Sequence, residues 1–402
     1  MSPPAAARLP WNAVGALSVT QIVAWGSQYY AIAVLAPAIA AAEGWSREAI
    51  FGAYSLGLLA QGFAAFPAGT LIDRFGGRVV MSAGSLLSAL ALAGVALAPN
   101  PWWFGLAWII TGIAMAATQY EPAFATITAS FGADARRAIT YVTFAGGLAS
   151  TVAWPVTAAL LPSLGWRGAY AFWAVVTLVA CLPLHLLLLP RARGGATRPK
   201  PRAMGPVLRS PAFWMVALAL TAGALLFSVV GVHAIPMLQD AGLSATEAVT
   251  IASFTGVFQV AGRVLELAGL SRLRPTRVAI LSALFQPLAI AALMAVGAVP
   301  GAAWAYVALY GLSAGILTIV RGTVPAELFG REGYGAVAGA MVAPGIMARA
   351  AGPYAAAWMW QNLGGYGPVQ WSIMVAGIIA CIAFIAAAAL APKPGAAAEG
   401  GT

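Results

Sequence analysis

Glu121, Arg263, Glu266, Arg321 and Arg349 are ionisable side chains that fall inside long apolar runs of a 402-residue chain. A charge in hydrocarbon costs several kcal/mol unless it faces a cavity or a partner, so each is a functional candidate. Arg349 lies deep in its run, between Pro344 and Pro353, with no acid nearby in sequence. The prolines lack amides and loosen a helix locally, and an arginine fork at such a depth calls for an anion such as a carboxylate. Arg263 has Glu266 one turn later, which reads either as an i, i+3 pair steadying a helix end or as carboxylate recognition. Glu121, inside Tyr-Glu-Pro, is a structural carboxylate or a proton carrier and gate. Arg321, inside Ile-Val-Arg-Gly-Thr, stands at the matching depth of the second half of the chain. The two charges are expected to form an inner gate, the alternative being that each pairs within its own half.

The uncharged candidates cluster early. Gln21, Trp25, Gln28 and Tyr29 recur at helical spacing and share one face. Polar groups facing lipid are costly, so this face lines a cavity or packs on a neighbour. Its rings, with Tyr120, are suited to stack on a planar ligand. Gln61 and Gln259 carry the same ambiguity. His233 reads as a pH-sensitive group or an interfacial histidine, and His185 is expected to snorkel toward water. Cys181 and Cys381 lie in apolar runs and read as small core hydrophobes. There is no Gly-rich phosphate loop, metal-ligand spacing or nucleophile motif, so neither an enzyme nor a cofactor is expected.

The elements that position these residues follow from composition. The chain is 61% hydrophobic with a mean hydropathy of +0.86, against about 45–50% apolar in soluble domains. A spanning helix needs about 20 apolar residues, and charged and turn residues cut this chain into twelve runs: 12–41, 48–72, 78–98, 102–130, 138–161, 168–189, 212–237, 245–268, 277–298, 303–325, 334–360 and 367–391. Backbone amides in lipid must be satisfied within a segment, which predicts an all-α integral membrane protein. The first run is too long for the short apolar region of a cleaved signal.

Of the 21 Lys and Arg, Arg47 and Arg167 fall in loops on one side, Arg263, Arg321 and Arg349 inside runs, and the rest on the other side. This asymmetry places both termini in the cytoplasm. The bases sit in short loops rather than on an aromatic-interleaved face, which argues against nucleic acid. Residues 191–210 are rich in Pro, Gly and Arg and read as a cytoplasmic linker between domains 1–190 and 211–402. The halves resemble each other. Gly44-Trp-Ser46 with Glu48 recurs as Gly242-Leu-Ser244 with Glu247, and Gln61 answers Gln259. Internal repeats in a transporter put the substrate site near the midplane between the halves.

Residues 69–78 read Gly-Thr-Leu-Ile-Asp-Arg-Phe-Gly-Gly-Arg, a tight charged turn between the second and third runs. With twelve runs, the repeat and the basic linker, this stretch resembles the loop signature of the major facilitator superfamily. The resemblance implies two six-helix bundles that move a small molecule by alternating access. Phe131-x4-Arg-Arg-Ala138, Ala145-Gly-Gly147, Pro155 and Gly165-Trp-Arg167 are similar to the monocarboxylate and oxalate/formate branch, in which helix eight carries a functional arginine, here Arg263. The chain departs from related patterns at Trp108, where an arginine often stands, at Trp154-Pro155, where many antiporters carry Gly-Pro, and in a first run without charge. Asp73 is expected to receive the N-terminal end of helix eleven as a gating latch, with Arg74 and Arg78 on the same rim.

The expected function is secondary transport of a small organic carboxylate with proton coupling or exchange, by a monomer in the inner membrane. The alternative is a larger planar aromatic solute such as a vitamin or drug.

Overall fold

The computed structural model describes residues 10–191, 204–330 and 334–390. Most of the basic linker, and Arg8, Arg331 and Lys393, lie outside the described residues. All regular structure among those described is helical. The chain divides into two compact units, Met1–Thr197 and Arg198–Thr402.

In the first unit, α1 (Trp11–Trp25) and α2 (Ala31–Glu43) are joined by a π-helical segment, Gly26–Tyr30. Next come α3 (Arg47–Phe75), α4 (Gly77–Ala96), α5 (Pro101–Thr118) and α6 (Tyr120–Phe131). The unit ends with α7 (Ala135–Gly147), α8 (Ala149–Val176), a second π-helical segment, Thr177–Cys181, and α9 (Leu182–Leu188). The second unit comprises α10 (Gly205–Leu208), α11 (Pro211–Asp240), α12 (Ala245–Ala268), α13 (Pro275–Met294), α14 (Ala302–Phe329), α15 (Tyr334–Leu363) and α16 (Tyr366–Ala389).

Among the described residues, ten helical stretches are long and apolar enough to cross a membrane. One of them, Ala135–Leu188, contains 54 residues. It is two helices meeting at Gly165, whose φ of 62° lies in the region that favours glycine. That division, together with α15, accounts for all twelve apolar runs.

The sequence repeat has a physical basis. Ser46 caps α3, its side chain accepting from Ala49 N at 3.1 Å. Ser244 caps α12 in a capping box with Glu247. Each cap satisfies an orphan amide at a helix start. Gly44 and Gly242, with φ of 67° and 100°, supply the turn before each cap.

The second repeated feature is a close helix crossing. A Cβ added to Gly112 of α5 would collide with the Gly57 carbonyl of α3, and one on Gly57 would lie 2.7 Å from the Trp108 carbonyl oxygen. In the second unit, Gly315 of α14 meets the Gln259 carbonyl of α12 and Gly262 meets that of Leu312. Small residues at these crossings let backbones approach, the usual basis of helix packing in lipid.

The charged stretch 69–78 is less of a loop than the sequence suggests. Helix α3 continues through Phe75, only Gly76 (φ 79°) leaves the helix, and α4 starts at Gly77. A Cβ on Gly77 would overlap the Thr126 side chain of α6, so that end is sealed tightly. Asp73 and Arg74 remain exposed, with the Arg74 guanidinium 5.0 Å from the Phe75 ring centroid.

At the opposite ends of these spans, Arg167 forms a clamp. Its Nη2 lies 3.0 Å from Glu43 Oε1, and its Nη1 donates to the carbonyls of Ala96 and Ala98 at 3.0 and 2.8 Å. Trp166 Nε1 donates to the same Glu43 oxygen at 3.2 Å. This ties the ends of α2 and α4 to the kink of α8 at Gly165. Glu43→Gln is expected to destabilise the purified protein by about 1 kcal/mol, because the pair is partly solvent-screened. Arg167→Ala is expected to cost more, about 2 kcal/mol, because two carbonyls also lose their donor. Unfolding midpoints in detergent check the order.

Candidate functional site

Span four is broken where the sequence places Pro122. A proline at that position has no N–H to give to the carbonyl four residues earlier, and its ring clashes with it. That carbonyl belongs to Thr118. The helix stops there, Gln119 adopts extended geometry (φ −83°, ψ −157°), and α6 starts at Tyr120. An unwound turn at membrane depth survives only where protein or a cavity satisfies its polar groups.

Three glutamines meet the break. Gln21 Nε2 donates to the freed Thr118 carbonyl at 2.8 Å and lies 3.3 Å from the Gln119 carbonyl. Gln61 Nε2 donates to Gln119 Oε1 at 2.8 Å. Gln28, in the π-helical segment, donates to Ser88 Oγ at 2.8 Å, and its Oε1 lies 3.4 Å from Thr118 Oγ1. Gln21 and Gln119 are 0% exposed.

Rings surround this knot. Trp25 lies 5.2 Å from Tyr29 and 5.1 Å from Tyr120, and Tyr120 stacks on Phe124 at 5.2 Å. Trp154 packs on Tyr30 and donates its indole N–H to the Tyr30 carbonyl at 3.0 Å. Trp108, at the position where an arginine often stands in the family resemblance, is fully buried against Tyr54 and Phe104. The structure therefore joins Gln21, Trp25, Gln28, Tyr29, Gln61 and Tyr120 in one unit and adds Gln119, Thr118 and Ser88, which the sequence reading missed. Glu121 occupies the first turn of α6 and is exposed.

The second unit holds the arginines. Arg263 is 3% exposed near the end of α12, with Nη2 3.5 Å from Thr318 Oγ1, and Glu266 is buried beside it in the same helix. Arg349 is half-buried in the middle of α15. Arg321 is exposed on α14. Gln259 is buried, its backbone carbonyl forming part of the crossing with Gly315. In the same unit Glu327 Oε2 accepts from Thr276 N at 2.8 Å, a carboxylate at the N-terminus of α13.

His185 differs from expectation, and His233 from one of its two readings. His185 does not snorkel. It is 1% exposed, with Nδ1 2.8 Å from Ser85 Oγ and Nε2 3.0 Å from Thr20 Oγ1, because α9 turns this face onto small residues of α1 and α4. His233 is not interfacial. It is fully buried, with Nδ1 3.0 Å from the Tyr366 hydroxyl and Nε2 3.0 Å from the Pro353 carbonyl, and it links α11, α15 and α16.

Known proteins are similar to this chain in sequence or fold. Monocarboxylate transporter 13 of Bos taurus is 28% identical over 291 residues, 69% of this chain and 65% of that protein. Transcription regulatory protein OpdE of Pseudomonas aeruginosa is 30% identical over 196 residues, 48% of this chain and 47% of that protein. The matches thus span from about half to just under two thirds of these relatives' length. Among solved structures, a D-xylose–proton symporter superimposes with a TM-score of 0.73 at 16% identity, covering 95% of this chain and 98% of that one. The nucleoside transporter NupG gives 0.71 at 16%, covering 95% and 99%. Identity at that level carries the fold alone. The sequence pattern described as Major Facilitator Superfamily matches residues 17–343, most of the chain. With that match added to twelve helical spans in two units, the chain belongs to the Major Facilitator Superfamily of solute transporters.

Proposed function

We propose that the protein moves a small organic carboxylate by alternating access, with a proton or by exchange, and that Arg349 binds the carboxylate. The observation that carries this reading is a guanidinium at the middle of α15, a helix whose sequence contains no Asp or Glu. Arg263 and Arg321 add positive charge to the spans of the same unit, and a surplus of that sign favours an anionic solute. The likeness to a monocarboxylate transporter points the same way. Arg263 is assigned to support of the same anion, and Glu121, Arg321 and Asp73 to gating and proton movement. The loop arginines support cytoplasmic termini, and the reading takes the protein to act as a monomer in an inner membrane. A larger planar solute is the second reading, favoured by the rings around Trp25 and Tyr120.

Uptake of a labelled short carboxylate into expressing cells tests the first reading. The expected result is saturable uptake that other carboxylates inhibit and the matching alcohols do not. Equal inhibition by both sets would overturn it.

A further inference from the structure

The transport reading gives no role to Arg136 and Arg137, the arginine pair that precedes Ala138. Both are exposed in the first turn of α7. Positive charge at that end opposes the helix dipole, so helix stability does not account for the pair. Neither guanidinium forms an ion pair among the described residues, and Asp134, just before α7, offsets only one of the two charges. Ala138 and Val142 of the same helix are buried with Val14 and Leu17 of α1. That packing leaves Arg137 on the outer side of the helix pair, at the end where spans one and five leave the apolar layer.

Two rings complete the place. Trp11, the first residue of α1, and Tyr141, one turn after Arg137, are both exposed, with ring centroids 5.3 Å apart. The Arg137 Cζ lies 5.9 Å from the Trp11 ring centroid and 5.8 Å from that of Tyr141. A guanidinium held over ring faces can still donate from its edge, and its fork matches phosphate oxygens. Trp and Tyr favour the depth of lipid headgroups. Beyond the rings, Trp11, Gly15 and Val19 follow one another at four-residue spacing on an exposed face of α1. A Cβ added at Gly15 meets nothing within 4 Å, so a bare apolar strip runs from the indole toward the middle of the span. The far end of the unit differs. Trp102 and Trp103 are exposed at the start of α5, and no arginine lies over their rings among the described residues.

We infer that the cluster of Trp11, Arg137 and Tyr141 is a binding site on the first unit for one anionic phospholipid. Arg137, with Arg136 beside it, donates to the headgroup phosphate. The two rings pack on the glycerol backbone, and one acyl chain lies along Trp11, Gly15 and Val19. An anionic lipid brings the net negative charge that this helix start needs, whereas a zwitterionic headgroup carries a cation of its own toward the arginines. The site does not depend on the carboxylate reading of Arg349.

Native mass spectrometry of the full-length protein in detergent at neutral pH, titrated with phosphatidylglycerol or with phosphatidylcholine of the same acyl chains, tests this. Phosphatidylglycerol is expected to bind about tenfold more tightly. The double variant Arg136→Gln with Arg137→Gln is expected to weaken phosphatidylglycerol binding about 25-fold, about fivefold for each arginine, and to leave phosphatidylcholine binding unchanged. Arg272→Gln with Arg274→Gln removes the same charge from exposed positions of the second unit and is expected to change neither. All four arginines are exposed, so both double variants should fold, and the comparison of the two lipids needs no variant. Equal binding of the two lipids by the native protein overturns the site. An equal loss in both double variants overturns it too, since net charge alone would then set the preference. Displacement of phosphatidylglycerol by glycerol phosphate would show a seat for free phosphate and overturn the lipid assignment.

Discussion

Arg349→Ala is expected to lower carboxylate transport, measured as kcat/KM, by about 30-fold to 4000-fold. Removing one partner of a buried, hydrogen-bonded charge pair costs about 2–5 kcal/mol, and each 1.4 kcal/mol is about a factor of ten. The effect is expected mainly in KM, since the guanidinium holds the solute before it moves. Arg349→Lys keeps the charge but loses the planar fork, so it should recover a part of the affinity. A merely structural arginine would instead lose folded protein in both variants, which size-exclusion of the purified proteins reads directly. Well-folded Arg349→Ala with unchanged carboxylate kinetics would remove the anion site.

Gly112→Val is expected to abolish accumulation of folded protein. The added carbons fall on the backbone carbonyl of Gly57, which cannot rotate away as a side chain would. Overpacking in a close-packed interior costs about 1–3 kcal/mol, and here the whole crossing of α3 and α5 must widen, so the upper end of that range is expected. Gly315→Val meets the Gln259 carbonyl in the second unit in the same way and should behave alike. Gly15→Ala, where nothing lies within 4 Å, serves as the control and should be neutral or mildly stabilising. Folded Gly112→Val with an unchanged unfolding midpoint would show that the crossing is looser than described.

The twelve spans were legible because lipid leaves the backbone little choice, and apolar length alone then marks each helix. The repeated Ser caps were legible as residues, and the structure supplies their cause in two matching helix starts. The break in span four was written in Pro122, but a proline inside an apolar run is compatible with a kink as well as a stop. What decided it was Gln21, about a hundred residues away, taking the carbonyl that Pro122 released. That partnership is tertiary and leaves no local trace. The same holds for His185, whose partners Thr20 and Ser85 come from two other helices, and for Glu43, which sequence spacing never pairs with Arg167. The turn at residues 69–78 was misread in length because Asp73 and Arg74 look like loop residues, yet they continue the exposed end of α3.

Transport of an organic carboxylate, down or against a gradient and without a chemical step, is the proposed activity. Purified protein in proteoliposomes loaded with unlabelled carboxylate tests it most directly, by counterflow of the labelled solute from outside. The expected result is transient accumulation of label that needs no nucleotide and is lost when Arg349→Ala replaces the native protein. Label that never exceeds the protein-free control for any short carboxylate, or counterflow equally strong with Arg349→Ala, would contradict it.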